Sequence, residues 1–167
     1  METLEQLREQ DRLAAAGPGP VGLGGWLFLP TLGMVLTPIL AVAGLGDFLP
    51  ALAPDAGLTA AQTLLVWFEL LGNGAIQIVA PFVLLTLMFQ KRRTFPSLFV
   101  GWTITNLVFV LVDLVFAYNV FRAYYDSPGV VFWDEATGQS VSRAVIYAAI
   151  WVPYMLNARR VKNTFVN

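Results

Sequence analysis

The chain has 167 residues, of which 57% are hydrophobic and only 13% are charged, and its mean hydropathy is +0.66. This is the composition of a protein that is dissolved mainly in lipid, and it excludes an ordinary soluble domain. The absence of cysteine and histidine excludes disulfide frameworks, Cys/His zinc sites, iron–sulfur clusters and His-ligated haem, and the net charge of −1 argues against nucleic acid as a partner.

A polar segment at residues 1–20 precedes the first apolar stretch and ends in Gly17-Pro18-Gly19-Pro20. This linker separates the segment from the first apolar stretch, because proline removes a backbone N–H and glycine adds conformational freedom. We expect a cytoplasmic tail, which is either a short helix on the membrane surface or a solvated chain. A cleaved signal peptide is not favoured, because the leader is acidic and the apolar run exceeds the usual length of about 7–15 residues.

Four apolar stretches come next, each close to the roughly 20 residues that a helix needs to cross about 30 Å of hydrocarbon. The fourth is the shortest, but residues 144–155 carry no charge. The sequence therefore predicts a four-span transmembrane domain at residues 21–158, followed by a basic cytoplasmic tail at 159–167. The predicted spans are residues 21–45, 63–89, 97–121 and 141–157.

The positive charges cluster on one side of this topology. Four crossings place the N-terminal tail, the second connection and the C-terminal tail on the same side of the membrane. Eight of the ten Lys and Arg residues lie in these segments: Arg8, Arg12, Lys91, Arg92, Arg93, Arg159, Arg160 and Lys162. Connections rich in positive charge stay in the cytoplasm. The predicted fold is therefore all-α, an integral membrane four-helix bundle with its N and C termini cytoplasmic.

Polar side chains recur along one face of the second and third predicted spans. Glu69, Asn73 and Gln77 are spaced by four residues, and Asn106 and Asp113 are seven residues apart. Both spacings place the side chains on one face of a helix. Because an ionised side chain at mid-membrane costs roughly 2.5–3.5 kcal/mol, we expect the two polar faces to point into the protein and to meet.

These faces predict a polar cluster near the outer surface. At about 1.5 Å per residue, Glu69 and Asp113 both fall in the outer half of the membrane. Arg143 enters the fourth span from that side, and Arg122 ends the third span there. We therefore expect a cluster that opens to the outer face and pairs opposite charges. The candidate binding residues are Glu69, Asn73, Gln77, Asn106, Asp113 and Arg143.

Three interpretations of this cluster stay open. Its members hold the helices together through interhelical hydrogen bonds worth about 0.6–2 kcal/mol each, or they line a pocket for a solute, lipid or proton, or they perform intramembrane catalysis. The first two are favoured, because nothing fixes a substrate for two carboxyl groups acting without His or Cys. A site for a hard cation is conceivable, but no spacing specifies one. We expect no catalytic residue, no metal ligand, no cofactor and no enzymatic activity.

Two short motifs lie at the beginning of the first span and at the end of the last. Their residues are Gly22, Gly24, Gly25, Trp26, Pro153, Tyr154, Arg160, Val161, Lys162, Thr164 and Phe165. The motifs resemble a bacterial family of small membrane proteins known as domain of unknown function 2569, and the resemblance extends from about Gly22 to Val166. The sequence departs from the family pattern at Ala158, where a serine is expected. The resemblance implies a four-helix bundle, multi-pass in the bacterial inner membrane, and it implies no reaction.

The motif residues favour a structural role. Glycines without side chains let the backbone bend or let another helix approach closely, and Trp26 is expected to fix the depth of the first span. Trp102 and Trp133 also lie near predicted span ends and are expected to act as interfacial anchors. In the C-terminal tail, Val161 and Phe165 share one helical face among basic residues, which predicts an amphipathic extension in the membrane interface.

Taken together, these patterns favour a non-enzymatic accessory or interaction protein of the membrane. The alternative is a small transporter or channel component with a polar outer-half pocket around Glu69 and Asp113. Four spans enclose little interior volume, so a conduit would need several copies of the chain. The expected partners are the lipid bilayer and either another membrane protein or further copies of this chain, with no nucleic acid.

Overall fold

A computed structural model describes residues 22–53, 55–129 and 131–166 of the chain. Within these ranges the protein is helical, and they contain no β-strand. The tail predicted at residues 1–20 lies outside the described residues. An all-α fold is thereby confirmed for the part of the chain that the structure covers.

Six α-helices follow one another along the described residues. Short 3-10 turns flank the first of them at Gly25–Leu27 and Leu45–Phe48, and another 3-10 turn comes next at Pro50–Leu52. The second helix is continuous but contains a π-helical stretch at Gly74–Val79. The helices are α1 (Phe28–Gly44), α2 (Ala60–Phe89), α3 (Phe95–Val120), α4 (Arg122–Tyr125), α5 (Glu135–Asn157) and α6 (Arg159–Thr164).

Three helical segments within the described ranges are long and apolar enough to cross a membrane. They are Gly25–Phe48, which contains α1, together with α2 and α3, and they have 24, 30 and 26 residues. At about 1.5 Å per residue, each exceeds the roughly 30 Å of a hydrocarbon core. Helix α5 has 23 residues, but its first turns are polar, so it is not among the three. The chain is thus a helical protein with the apolar helices of a membrane protein.

The buried core lies at one end of the bundle. Helix α5 packs along α3, and α1 packs against α2. We call this end, which carries residues 22–25 and α6, the motif end, and the other, which carries the connections after α1 and after α3, the opposite end. Many large apolar side chains elsewhere on the helices are exposed, as is typical of surfaces that face lipid. The core residues are Leu27, Met34, Leu84, Met88, Phe95, Phe99, Trp151, Met155, Val161 and Phe165.

The π-helical stretch of α2 ends two residues before Pro81. The backbone N–H of Ala80 bonds to the carbonyl of Ala75, five residues earlier. In this register the next carbonyl, that of Ile76, would accept from residue 81, but proline has no N–H. The indole Nε1 of Trp102 on α3 donates to this carbonyl instead, at 2.7 Å. Pro81 therefore leaves an acceptor on α2 that anchors α3.

The C-terminal segment folds back into the protein. Helix α6 begins directly after Ala158, and Val161, Thr164 and Phe165 are buried. The ring centroids of Phe165 and Phe95 are 4.6 Å apart. The apolar face predicted from Val161 and Phe165 thus packs against the core at the motif end, and not against lipid, because the open end of the bundle offers a large apolar surface to cover.

The start of α5 makes stability depend on pH. Oδ1 of Asp134 accepts the backbone N–H of Thr137 at 2.8 Å, and hydrogen bonds from the side chain and backbone of Thr137 hold the pKa of this carboxyl below its ordinary value. A lowered pKa contributes stability above the ordinary value, and that stability is lost as the pH falls through the folded-state pKa. Asp134→Asn keeps a good helix cap but cannot be protonated. We therefore expect the free energy of unfolding of this variant to fall less than that of the wild type as the pH is lowered.

The measurement is the free energy of unfolding in detergent micelles from neutral to acid pH, for the wild type and for Asp134→Asn. Asp55→Asn is the control, since Thr59 caps the helix that follows, and Asp55 caps no helix among the described residues. Parallel pH profiles for the wild type and Asp134→Asn would contradict the prediction.

Candidate functional site

A polar cavity of about 530 Å³ lies between α1, α2, α3 and α5. This volume falls within the range of about 300–1,000 Å³ that is typical of small-molecule sites. The cavity extends from the middle of the bundle towards the opposite end, where the turn Leu45–Phe48 and the first half of α5 border it. The side chains that give it polar character are Thr37, Asp47, Asn73, Gln77, Trp102, Asn106, Ser140, Arg143 and Tyr147.

Four of the six residues singled out in the sequence line this cavity. Asn73 and Gln77 reach it from α2, Asn106 from α3 and Arg143 from α5. Nε2 of Gln77 donates a hydrogen bond to Oδ1 of Asn106 at 2.6 Å. The two polar faces therefore meet, and this bond leaves the Gln77 oxygen and the Asn106 nitrogen able to bond to something else.

The other two residues, Glu69 and Asp113, form a separate pair. The two carboxyl groups interact where α2 packs on α3, and neither lines the cavity. Both side chains are half-buried, and Oδ1 of Asp113 is buried with no hydrogen-bond partner among the described residues. The pair therefore places two acidic groups at the contact between the two helices.

The expected pairing of opposite charges in this cluster is wrong. Arg122 pairs with Asp126, the residue directly after its own short helix, with Nε and Oδ2 3.5 Å apart. Across the described ranges, no ion pair joins Arg143 to Glu69 or Asp113. Arg143 lies on the cavity wall, whereas the two acids lie at the contact between α2 and α3.

Six polar or aromatic residues of the cavity were not predicted: Thr37, Asp47, Phe48, Trp102, Ser140 and Tyr147. Trp102 is not an interfacial anchor, because its indole is half-buried and bonds to the Ile76 carbonyl. The hydroxyl of Tyr147 is buried without a partner among the described residues, beside the α1 backbone at Gly33. One signal was available in the sequence: Pro81 frees a carbonyl five residues earlier, and a buried indole N–H can satisfy it.

The two sequence motifs meet at the motif end. The N–H of Gly22 donates to Oγ1 of Thr164 at 2.9 Å, across a sequence separation of 142 residues. The guanidinium of Arg160 covers the backbone of Gly24 and Gly25, and a Cβ on Gly25 would lie 3.2 Å from its central carbon. Gly25 also has φ of +64°, which favours glycine. We call this arrangement the terminal clasp, and its contacts are structural.

The remaining motif residues divide between surface and interior. Trp26, Pro153 and Lys162 are exposed, whereas the ring of Tyr154 contacts that of Trp151 at 5.6 Å between centroids.

No group of three or more acidic side chains capable of holding a metal ion forms in the described part of the chain. The cavity is therefore the feature of this structure with the chemistry of a binding site.

Comparison with curated proteins and with solved structures gave no significant match. A family model described as a protein of unknown function (DUF2569) matches residues 20–166, which is most of the chain. The match includes the terminal clasp, the cavity and the carboxyl pair. The protein therefore belongs to the DUF2569 family.

Proposed function

We propose that this protein is a non-enzymatic accessory protein of the bacterial inner membrane, with four spans and cytoplasmic termini, that binds a small ligand in its polar cavity. The cavity carries the proposal. Four helical regions contribute amides, hydroxyls, a guanidinium and a carboxylate to one space of about 530 Å³. Groups of this kind orient a ligand through hydrogen bonds.

The placement of α5 supports a fourth span. It runs beside α3, which is itself long enough to cross the membrane, and residues 144–155 are uncharged. Its polar Ser140 and Arg143 line the cavity and so need not face lipid. The six basic residues that lie at the motif end in residues 91–93 and 159–162 favour a cytoplasmic location for that end.

Reporter fusions test this topology. A reporter placed after Asp55 is expected to be active on the outer side, and one placed after Arg93 on the cytoplasmic side. Reports from the same side would overturn the four-span arrangement, irrespective of any binding activity.

The packing between the cavity and the motif end favours a binding protein over an open channel. Met34, Phe99 and Trp151 are buried between the cavity and the motif end, with 0%, 0% and 8% of their surface exposed. These side chains close the cavity on that side. A channel would require this packed layer to open, whereas a binding protein requires no such movement.

Filling the cavity tests the binding function. Ala41 lines the cavity on α1, whereas Ala43, on the same helix, does not. After mild detergent extraction, native mass spectrometry is expected to detect a retained small molecule on the wild type and on Ala43→Trp, but not on Ala41→Trp. Ala41→Leu serves as a milder variant. Identical bound molecules on all of these proteins would contradict the proposal.

A transporter component is the second candidate, favoured by the carboxyl pair of Glu69 and Asp113 beside the cavity. Acidic side chains within apolar helices mark the proton relays of many pumps and transporters. If the protein moves protons, Glu69→Gln and Asp113→Asn will abolish proton flux in proteoliposomes containing a pH-sensitive dye. Unchanged flux together with lower thermal stability would assign the pair to helix packing.

A further inference from the structure

The charged residues of the cavity are of opposite sign and come from different parts of the fold. Asp47 lies in the turn Leu45–Phe48 after α1, and Arg143 lies in the first half of α5. Among the residues that the structure covers, no ion pair within 4.0 Å joins these two. Each charge therefore remains available to a ligand that occupies the space they border.

From this arrangement we propose that the cavity takes a zwitterion, a ligand that carries both a primary ammonium group and an oxyanion. The inference rests on the proposed binding function and names the class of ligand for the same cavity.

The α5 wall presents hydrogen-bond donors. Ser140, Arg143 and Tyr147 are spaced by three and four residues, so they follow one face of the helix, and all three line the cavity. The hydroxyl of Tyr147 has no partner in the described part of the chain. A guanidinium flanked by hydroxyls is suited to a carboxylate or phosphate, because charge-assisted bonds from arginine to an oxyanion are strong and directional.

The facing wall presents acceptors. The turn that carries Asp47 packs against the first half of α2. Asn73 reaches the cavity from the end of that half, and Gln77 lies one turn further along α2. Because the nitrogen of Gln77 is engaged by Asn106, its oxygen remains as an acceptor. A carboxylate beside amide oxygens suits an ammonium group, which offers three donors and no acceptor.

Two sources could supply this chemistry at membrane depth. One is the headgroup of a zwitterionic phospholipid with a primary amine, and the other is a free amino acid from the outer side. The rim of the cavity includes Leu40, Leu45 and Phe48, which could contact an acyl chain. Both ligands carry an ammonium group and an oxyanion, but only the phospholipid also carries apolar acyl chains.

The experiment is native mass spectrometry of the full-length protein in detergent with three probes: phosphatidylethanolamine, phosphatidylglycerol and free serine. We expect phosphatidylethanolamine or serine to bind with a stoichiometry of one. Asp47→Asn and Arg143→Gln are each expected to weaken this binding about tenfold, as for loss of a hydrogen bond to a charged group. Asp55→Asn and Arg122→Gln are matched controls outside the cavity and are expected to bind like the wild type.

The outcomes separate this inference from the binding function on which it rests. The zwitterion inference would be overturned if phosphatidylglycerol bound as tightly as the zwitterionic probes, or if Asp47→Asn left their binding unchanged. Either result would still leave a ligand-binding cavity. Probes that bind Ala41→Trp as well as the wild type would overturn both. Probes that bind neither protein would overturn the zwitterion, and the binding function would also fail if the wild type retained no molecule from native membranes. Binding of phosphatidylethanolamine but not serine identifies a lipid, and the reverse identifies a solute. Thermal unfolding of each variant verifies that it is folded, and Ser140→Ala is the milder substitution on the donor wall.

Discussion

Replacing Phe165 with alanine is expected to destabilise the protein by about 3–5 kcal/mol, the range for removal of a buried aromatic side chain. Phe165 is only 5% exposed and packs on Phe95, which is itself completely buried. The cavity left behind would lie in the core of the motif end, where α6 closes the bundle. The measurement is the free energy of unfolding by denaturant in detergent micelles.

Val166→Ala is the matched control for this prediction. The neighbouring side chain of Val166 is 59% exposed, so its truncation is expected to change the free energy of unfolding by less than about 0.5 kcal/mol. A similarly small effect of Phe165→Ala would mean that the C-terminal segment does not pack on the core in solution.

Gly72→Ala is expected to destabilise the protein by about 1–3 kcal/mol through overpacking. A Cβ at Gly72 would overlap the ring of Phe109 on α3. That ring cannot withdraw freely, because it also contacts the ring of Phe68, with 5.1 Å between centroids. The substitution therefore forces α2 and α3 apart beside the carboxyl pair, and thermal unfolding in detergent measures its cost.

The control for this substitution is Gly101→Ala. A Cβ at Gly101 meets no atom within 4 Å, and alanine favours helix more than glycine by about 1 kcal/mol. We expect a neutral or slightly stabilising effect. If Gly72→Ala were equally neutral, close contact between α2 and α3 at this level would be ruled out.

The sequence predicted the helix boundaries well where an apolar run sets them. The stretch predicted at residues 97–121 corresponds closely to α3, and the stretch at 63–89 ends where α2 ends. Helix α2 begins three residues earlier than predicted, because Thr59 and Gln62 form a capping box that extends the helix into polar sequence. Local hydrogen bonds of this kind do not register in a search for apolar runs.

Helix α5 illustrates a larger discrepancy. The predicted span begins at residue 141, whereas the helix begins at Glu135, after the Asp134 cap. The additional turns are polar and helical, and one of their side chains, Ser140, lines the cavity. A search for apolar sequence discards such turns, although they contribute to the wall of a binding site.

The sequence predicted which side chains of the candidate site share a face of one helix, but not which side chains of other helices they contact. Helical spacing correctly grouped Asn73 with Gln77, and these faces do meet α3 at Asn106. Spacing does not specify how each helix rotates about its axis relative to the others. The structure consequently places Arg143 beside the cavity and away from the two acids. Asp47, which belongs to a short turn, was not predicted as a site residue.

The terminal clasp has a consequence for how the protein is made. Gly22 leaves the ribosome before Thr164, which accepts its N–H and lies 142 positions further along the chain. The segment that contains α1 must therefore wait, with its entrance uncovered, until α6 has been synthesised. A nascent chain stopped before α6 would expose both the glycine motif and the apolar core of the motif end. The two sequence motifs thus mark the contact by which a chain that includes α6 differs from one stopped before it.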